Sequence, residues 1–478
     1  MPQEQSHGQA FNDCTQPKQI PNRKEGNTYS FFPLLMKYSP TAVILTNMGG
    51  PKTIDDVQGF LLNLFSDRDI MQFPFQSVAA KFISTRRTPK IKEQYQAIGG
   101  GSPILYWTRK QGEAMEKLLD TISPETAPHK HYIAFRYVEP FTKDALEEMK
   151  KDRVQRAIVF SQYPQYSCST TGSSLNELHR RIKELGMDKD IKWSIIDRWP
   201  THPGFIDATV HKIEQKLAEY EPEERKDAII MFSAHSLPMS VVNKGDPYPA
   251  EVAATVDRVM SKLGNKYPYR LCWQSQVGPK AWLGPQTSDA LKGFAKAGRK
   301  NIVVVPIAFT SDHIETLFEL DQEYASEAKE LGITGWKRVD ALNDEPLFVK
   351  AMANIVKEHI DKGEVVSKQW PLQCPGCDFD TCGHSHNLVK VTATSSLAEA
   401  VASSNSDELL AADILYTLTS RLITRENKKR MLEDTFAHKY LDAISETIFG
   451  SECRFRHDCS GTSDEDDDGQ NHNDENHS

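Results

Sequence analysis

The chain has 478 residues, 39% hydrophobic and 26% charged, which gives it the length for several domains and excludes a disordered or collagen-like chain. Its 57 Lys and Arg against 66 Asp and Glu leave −9 at pH 7, a balance that argues against a nucleic-acid binder. Seven acidic residues and no Lys or Arg fall within 461–478, so the remainder carries only −2 and the acidity belongs to a tail.

Residues 1–40 are polar and irregular, with four basic residues against three acidic ones; they contain no continuous apolar stretch and do not have the Arg-rich, acid-poor pattern of a transit peptide. No run of 18 apolar residues occurs anywhere. From Thr41 onward, β-rich runs alternate with amphipathic helical patterns. The spacing predicts strands over 41–47, 131–137, 157–162, 192–197, 227–234, 269–274, 301–308 and 336–340. Helices are expected between them, over 143–151, 175–185, 204–220, 249–263 and 316–331. This alternation implies an α/β fold of parallel sheets with helices on both faces.

Eight strands divide into two sheets of about four, with a break near 199–204. A faint internal repeat supports the division: AVILTNMGGP (42–51) parallels AIIMFSAHSLP (228–238), and AIVFSQYPQYSCST (157–170) parallels IVVVPIAFTSDHIET (302–316). The expected organisation is a leader (1–40), two doubly wound halves (41–203 and 204–368), a Cys-rich extension (369–388), a helical extension (389–460) and an acidic tail (461–478). A ligand would lie between the halves, outside the carboxyl ends of the strands.

Four groups of residues could carry chemistry. His235, in FSAHSLP (232–238), directly follows an apolar strand, where an imidazole can serve as base or metal ligand. Asp312 and His313 open the stretch TSDHIETLFELDQEY (310–324), in which Glu315, Glu319 and Glu323 recur every four residues and share one helix face. Such a stripe can pass protons or a divalent cation, although a solvated acidic face is its commoner fate. Cys374, Cys377 and Cys382 form C-x2-C-x4-C, which needs a fourth ligand: His384 or His386 for zinc, or a remote cysteine such as Cys168 for a 2Fe–2S cluster. Finally, 70–102 sets Ile70, Phe73, Phe75, Val78 and Phe82 beside Arg86, Arg87 and Lys90, a combination suited to an anionic amphiphile or a lipid interface.

Several long motifs coincide. LTNMGGP (45–51), RRTPKIKEQYQAIGGGSPI (86–104), FRYVEP (135–140), SQYPQYSCSTTGSS (161–174), RWPTHPGFI (198–206), FSAHSLPMSVVNKGDPYP (232–249), CWQSQVGPKAWLGPQT (272–287) and VPIAFTSDHIETLFELDQEY (305–324) together resemble the ferrochelatase family. The resemblance covers about 41–382 and implies two Rossmann-like halves around a porphyrin cleft, with insertion of Fe(II) into protoporphyrin IX as the activity. It makes His235 the base for the pyrrole protons or the ligand that receives iron, with Glu315 as its partner and His313, Asp312 and Glu319 continuing an acidic path. It matches Met48, Tyr95, Arg136, Tyr137, His202 and Trp282 to the macrocycle-lining positions, and Arg87, Lys90 and Ser102 to the propionate side.

The same resemblance matches Cys168, Cys374, Cys377 and Cys382 to the four 2Fe–2S ligands of an animal-like branch. It implies a homodimer, peripheral membrane association through 70–83, and the matrix side of the mitochondrial inner membrane. Two other readings compete: a chelatase for another tetrapyrrole such as coproporphyrin, and a non-enzymatic porphyrin carrier. Residues beyond about Leu388 lie outside the family pattern; Cys453, His457 and Cys459 there hint at a metal site but read better as a chance arrangement.

Overall fold

The computed structural model describes residues 39–370, apart from Met71 and Pro279, together with residues 374–377. The expected strands are present in the expected order: β1 (Thr41–Asn47), β2 (His129–Phe135), β3 (Arg156–Ser161), β4 (Lys192–Ile196), β5 (Ile229–His235), β6 (Tyr269–Gln274), β7 (Asn301–Pro306) and β8 (Gly335–Arg338). They form two four-stranded parallel sheets, ordered β2-β1-β3-β4 and β6-β5-β7-β8, so one topology is used twice.

The central strands read as unbroken apolar runs because helices cover both of their faces. All of β1 is buried. Period-two alternation then divides each strand between two cores. Val43 and Leu45 of β1, Ile230 and Phe232 of β5, and Val303 and Val305 of β7 point into one core shared by both sheets. The opposite faces, Ala42 and Ile44 in one sheet and Ile229, Met231, Ile302 and Val304 in the other, pack under separate layers. The shared core is sealed by the helix Pro203–Ala218 and the helix Pro346–Asp361, and the latter also packs on the helix Ile104–Ile122 of the first half.

Strand order places the switch point of each sheet between its first and third strands, where connections leave in opposite directions and open a crevice at the carboxyl ends. The edge strand β2 is protected by carboxylates. Asp120 accepts from both the backbone N–H and the imidazole of His129 at 2.8 Å, and Glu116 does the same for His131 at 3.0 and 2.7 Å. These pairs occupy donors that an open sheet edge would otherwise offer to another chain.

Gly49 closes the turn after β1 with φ +77°, and a Cβ there would stand 2.4 Å from Val138 Cγ2 and 2.8 Å from the Phe135 ring. Gly49→Ala is therefore expected to cost about 2–4 kcal/mol, from left-handed strain and overpacking together. Denaturant unfolding checks this; a midpoint equal to wild type contradicts it.

Candidate active site

Two adjacent strand ends build the centre of the site. β5 terminates in His235, whose side chain remains 38% exposed and thus open to a ligand. Its Nδ1 lies 2.9 Å from Glu315 Oε2. Glu315 comes from the segment after β7, the strand that pairs with β5 on one side. On the other side, β6 places Gln274 in register with His235. Gln274 Nε2 donates to the Glu315 carbonyl and to Glu319 Oε2, both at 3.1 Å, while the Ser275 hydroxyl donates to Glu319 Oε2 at 2.5 Å. Ser275 holds φ +66°, the kind of strained backbone that clusters at functional sites.

The expected α-helix at 316–331 differs in form. Glu315–Glu323 is a π-helix, closed by the Tyr324 N–H on the Glu319 carbonyl, and only Tyr324–Glu330 is α-helical. The Glu315 carbonyl accepts from the Gln274 side chain at the start of this wider turn, a tertiary bond that has no signature in the local sequence. Glu315 and Glu319 nevertheless stay together, sharing Gln274 as donor.

Burial disfavours both charges of the central pair, yet each sustains the other. Burial works to lower the His235 imidazole, and the Glu315 carboxylate, aided by Glu319, overrides it and raises the pKa. Burial works to raise Glu315, and the charge and hydrogen bond of His235, with His313 behind it, hold it below the ordinary carboxylate range. Glu319 is pushed up to about 7 by burial and by the negative charge of Glu315. Tyr95, Tyr163 and Tyr248 are raised by burial and, less strongly, by the same Glu315 charge.

His313 completes the group. Its Nδ1 lies 2.9 Å from the Ser311 carbonyl, which can only accept, so the ring proton sits on Nδ1. Nε2 lies 4.0 Å from Glu315 Oε1. Asp312 belongs to a different set: its carboxylate accepts from Arg338 Nη1 at 3.0 Å, the Thr316 hydroxyl at 2.9 Å and Asn343 Nδ2 at 2.8 Å. Those donors turn it away from the acidic path and make it a brace of the turn.

Around this group lies an apolar wall. The Trp282 ring meets His235 edge-on at 6.4 Å between centroids. Met48 and Ile314 pack against a cluster that includes Phe60, Phe65, Tyr95, Ile104 and Tyr137. Tyr137 donates to Asp67 Oδ2 at 2.7 Å, and Arg136 pairs with the same carboxylate at 3.0 Å, so both are anchored at this wall. Ser102 abuts Gly50, and Arg87 lies over the Phe65 ring at 5.7 Å, while Lys90 is exposed. Phe75, Val78 and Phe82 project from the neighbouring helix Gln76–Ala97 and its start, 86%, 68% and 66% exposed. His202 is the outlier: its Nε2 lies 3.3 Å from Glu358 on the helix Pro346–Asp361.

Sequence reasoning missed Gln274, Ser275, Tyr163 and Asp67. The carboxyl ends of the predicted strands 269–274 and 157–162 were a signal for Gln274, Ser275 and Tyr163; Asp67 had none.

The cysteines gather elsewhere. Cys168 opens a short π-helical segment, Cys168–Gly172, and its N–H donates to Asp246 Oδ2 at 2.8 Å. The Gly376 N–H reaches the Lys244 carbonyl at 2.9 Å, bringing 374–377 onto the same loop. Burial pushes the Cys374 thiol up, as do the charges of Asp246 and Cys377. Neighbouring thiols are the donors that iron–sulfur centres take, and a bound cation would reverse the direction of that shift. Among the described residues no group of three or more His, Cys, Asp or Glu is placed to hold a metal ion. Cys382 lies outside the described residues, as do His384, His386, Cys453, His457, Cys459 and the extensions beyond 388.

The raised Glu319 has a consequence for stability. Between the carboxylate's ordinary 4.5 and about 7, the folded protein retains a proton that the unfolded chain releases, so stability falls as pH rises through this interval. The raised His235 acts in the same direction, its contribution being complete below 6.5 and lost as pH rises through its higher folded value. Glu319→Gln is expected to flatten the decline of Tm between about pH 5 and 8. Calorimetry across that range checks this; an unchanged slope contradicts it.

Comparison with known proteins agrees with this architecture. Residues 40–360 match the ferrochelatase family. The mitochondrial ferrochelatase of Xenopus laevis is 58% identical over 349 residues, spanning 73% of this chain and 85% of that protein. That of Homo sapiens is 58% identical over 343 residues, 72% and 81% of the two chains, and that of Drosophila melanogaster 49% identical over 346 residues, 72% and 90%. Similarity of this extent shows that the chain belongs to the ferrochelatase family.

Proposed function

We infer that this chain is a metal-chelating lyase that inserts Fe(II) into protoporphyrin IX, forming protohaem and releasing two protons. The observation that carries the site assignment is the contact of His235 with Glu315 at a strand-end crevice beside an apolar, aromatic wall.

The reaction needs a base, an exit for protons and donors that do not retain iron. His235 is read as the base. Its Nδ1 is held by Glu315, so Nε2 is the atom left to take a pyrrole proton. A metal ligand must be deprotonated, whereas Glu315 favours the imidazolium; the pair is therefore better suited to carrying protons than to holding iron. Glu319, pushed up to about 7, is poised to receive the proton and pass it outward. The carboxylates and the single imidazole Nε2 of His313 are weak sites from which a dication can move on to the macrocycle. Trp282 and Met48 supply apolar surface for the ring, backed by the buried Tyr95, and Arg87, Lys90 and Ser102 are assigned to the side of the propionates. Arg136 and Tyr137 are read as wall residues fixed by Asp67. The placement of His202 against Glu358 favours a structural role for it.

The cysteine site is proposed to hold a 2Fe–2S cluster through Cys168, Cys374, Cys377 and Cys382. Bound there, such a centre would supply one-electron exchange. Peripheral membrane association is assigned to the apolar projection of Phe75, Val78 and Phe82, beside Arg86 and Lys90. The relatives are named as mitochondrial proteins, and the matrix side of the inner membrane, with a homodimeric state, completes the proposal.

His235→Ala is expected to lower Fe(II) insertion by about 100-fold or more, as loss of a general base does, while porphyrin still binds. Anaerobic insertion assays with protoporphyrin and coproporphyrin, beside porphyrin fluorescence titration, check this. Unchanged turnover would overturn the role of His235, and a clear preference for coproporphyrin would overturn the substrate. The purified protein is expected to be red-brown and to lose its visible absorption in Cys374→Ser. A colourless protein with stoichiometric zinc would instead support ligation by His384 or His386.

A further inference from the structure

A buried polar network crosses the seam between the two halves and ends at the turn that presents His313 and Glu315. Its first member is Gln111, fully buried on the helix Ile104–Ile122. Gln111 Nε2 donates to Ser311 Oγ at 2.9 Å and to the Asn343 carbonyl at 2.8 Å, and its Oε1 accepts from Gln162 Nε2 at 2.8 Å. Gln162 follows β3; its Oε1 accepts from Thr108 at 3.3 Å and its backbone N–H donates to the Thr46 carbonyl at 3.1 Å. In the second half, Asn343 adopts φ +43° and grips Asp312 twice, accepting from its N–H at 2.9 Å and donating to its Oδ2 at 2.8 Å. Asp312 Oδ1 accepts from Thr316 at 2.9 Å, and that hydroxyl oxygen accepts from the His313 N–H at 3.0 Å.

Apolar side chains would seal such a seam without any need for matched partners. Buried amides are different, because a displaced partner leaves a desolvated donor or acceptor, so the network tolerates one relative position of its members. Both polar ends of Gln111 are engaged, one toward each half. We propose that Gln111 is a positioning residue for metal insertion: from the first half, through Ser311 and Asn343, it sets the 311–316 turn so that Glu315 meets His235. It touches neither substrate nor reacting atoms. The inference rests on the chelatase reading, and it assigns the Asp312 carboxylate to the same brace.

Gln111→Met keeps an unbranched side chain of similar length and removes the polar contacts. The expected result is a kcat lower by about 10- to 100-fold, the scale of a small misplacement in a site. The KM for protoporphyrin should stay within about two-fold. The limb of the kcat–pH profile near neutrality should move to lower pH, because Glu315 no longer supports the His235 imidazolium. A rate loss that merely follows the folded fraction, with a wild-type pH profile, would overturn the proposal. Should Gln111→Met fail to fold, Ser311→Ala removes a single acceptor, and a wild-type pH profile in that variant overturns it equally. Should the wild type insert no iron, the functional reading falls. NMR titration of the His235 imidazole, which needs no substrate, then decides this proposal: the same titration in both proteins would refute it.

Discussion

The 2.9 Å contact between His235 Nδ1 and Glu315 Oε2 is the constraint on which the rest of the site depends. Burial disfavours the charged form of both groups, and each favours the charged form of the other: Glu315 raises the His235 imidazole, and His235 lowers Glu315. The negative charge kept on Glu315 then sets the state of its neighbour, so that Glu319 titrates near neutrality. One pair thus creates a graded series: an imidazole whose protonated form is favoured once a proton arrives, a carboxylate that stays ionised, and a second carboxylate able to take the proton up or give it away. Gln274 and Ser275, at the end of the adjoining strand, keep the two carboxylates in place.

The duplicated topology puts one device to two uses. In each half a π-helical segment follows the third strand of the sheet, Cys168–Gly172 after β3 and Glu315–Glu323 after β7. One donates its first N–H to Asp246, beside the loop that receives 374–377; the other presents a carboxylate to His235. In the second half the wide turn at the strand's carboxyl end brings Glu315 to the crevice that this topology opens. The halves are similar in backbone plan and differ in what they hold.

The wall of the site combines apolar burial with fixed charge. Asp67, itself buried, gathers Tyr137, Arg136 and Ser173, so the end of the helix Val57–Ser66, the turn after β2 and the start of the helix Ser173–Leu185 are held by one carboxylate. Leaving any of these partners without Asp67 would strand a buried polar group. The exposed aromatic and basic residues at the start and along Gln76–Ala97 complete a surface that is apolar on one side and cationic beside it. A net charge near zero in the body conceals this separation from the carboxylates around Glu315.

Much of this was legible in the amino-acid order. Alternating apolar runs marked all eight strands, and their division into two sheets followed from spacing and a weak repeat. His235 and Glu315 stood out because each follows an apolar strand, where a parallel sheet opens toward a ligand. Those properties are local: side-chain periodicity and chain direction are written into neighbouring residues. What only the tertiary structure decided was which long-range partners meet. The stripe of carboxylates became a π-helix whose first carbonyl is held by Gln274; Asp312 turned to Arg338 and Asn343; His202 went to Glu358; and Gln111 reached across the seam to Ser311. None of these contacts has a period or a motif. Each depends on the packing of elements up to 200 residues apart, and on the cost of leaving a buried polar atom alone.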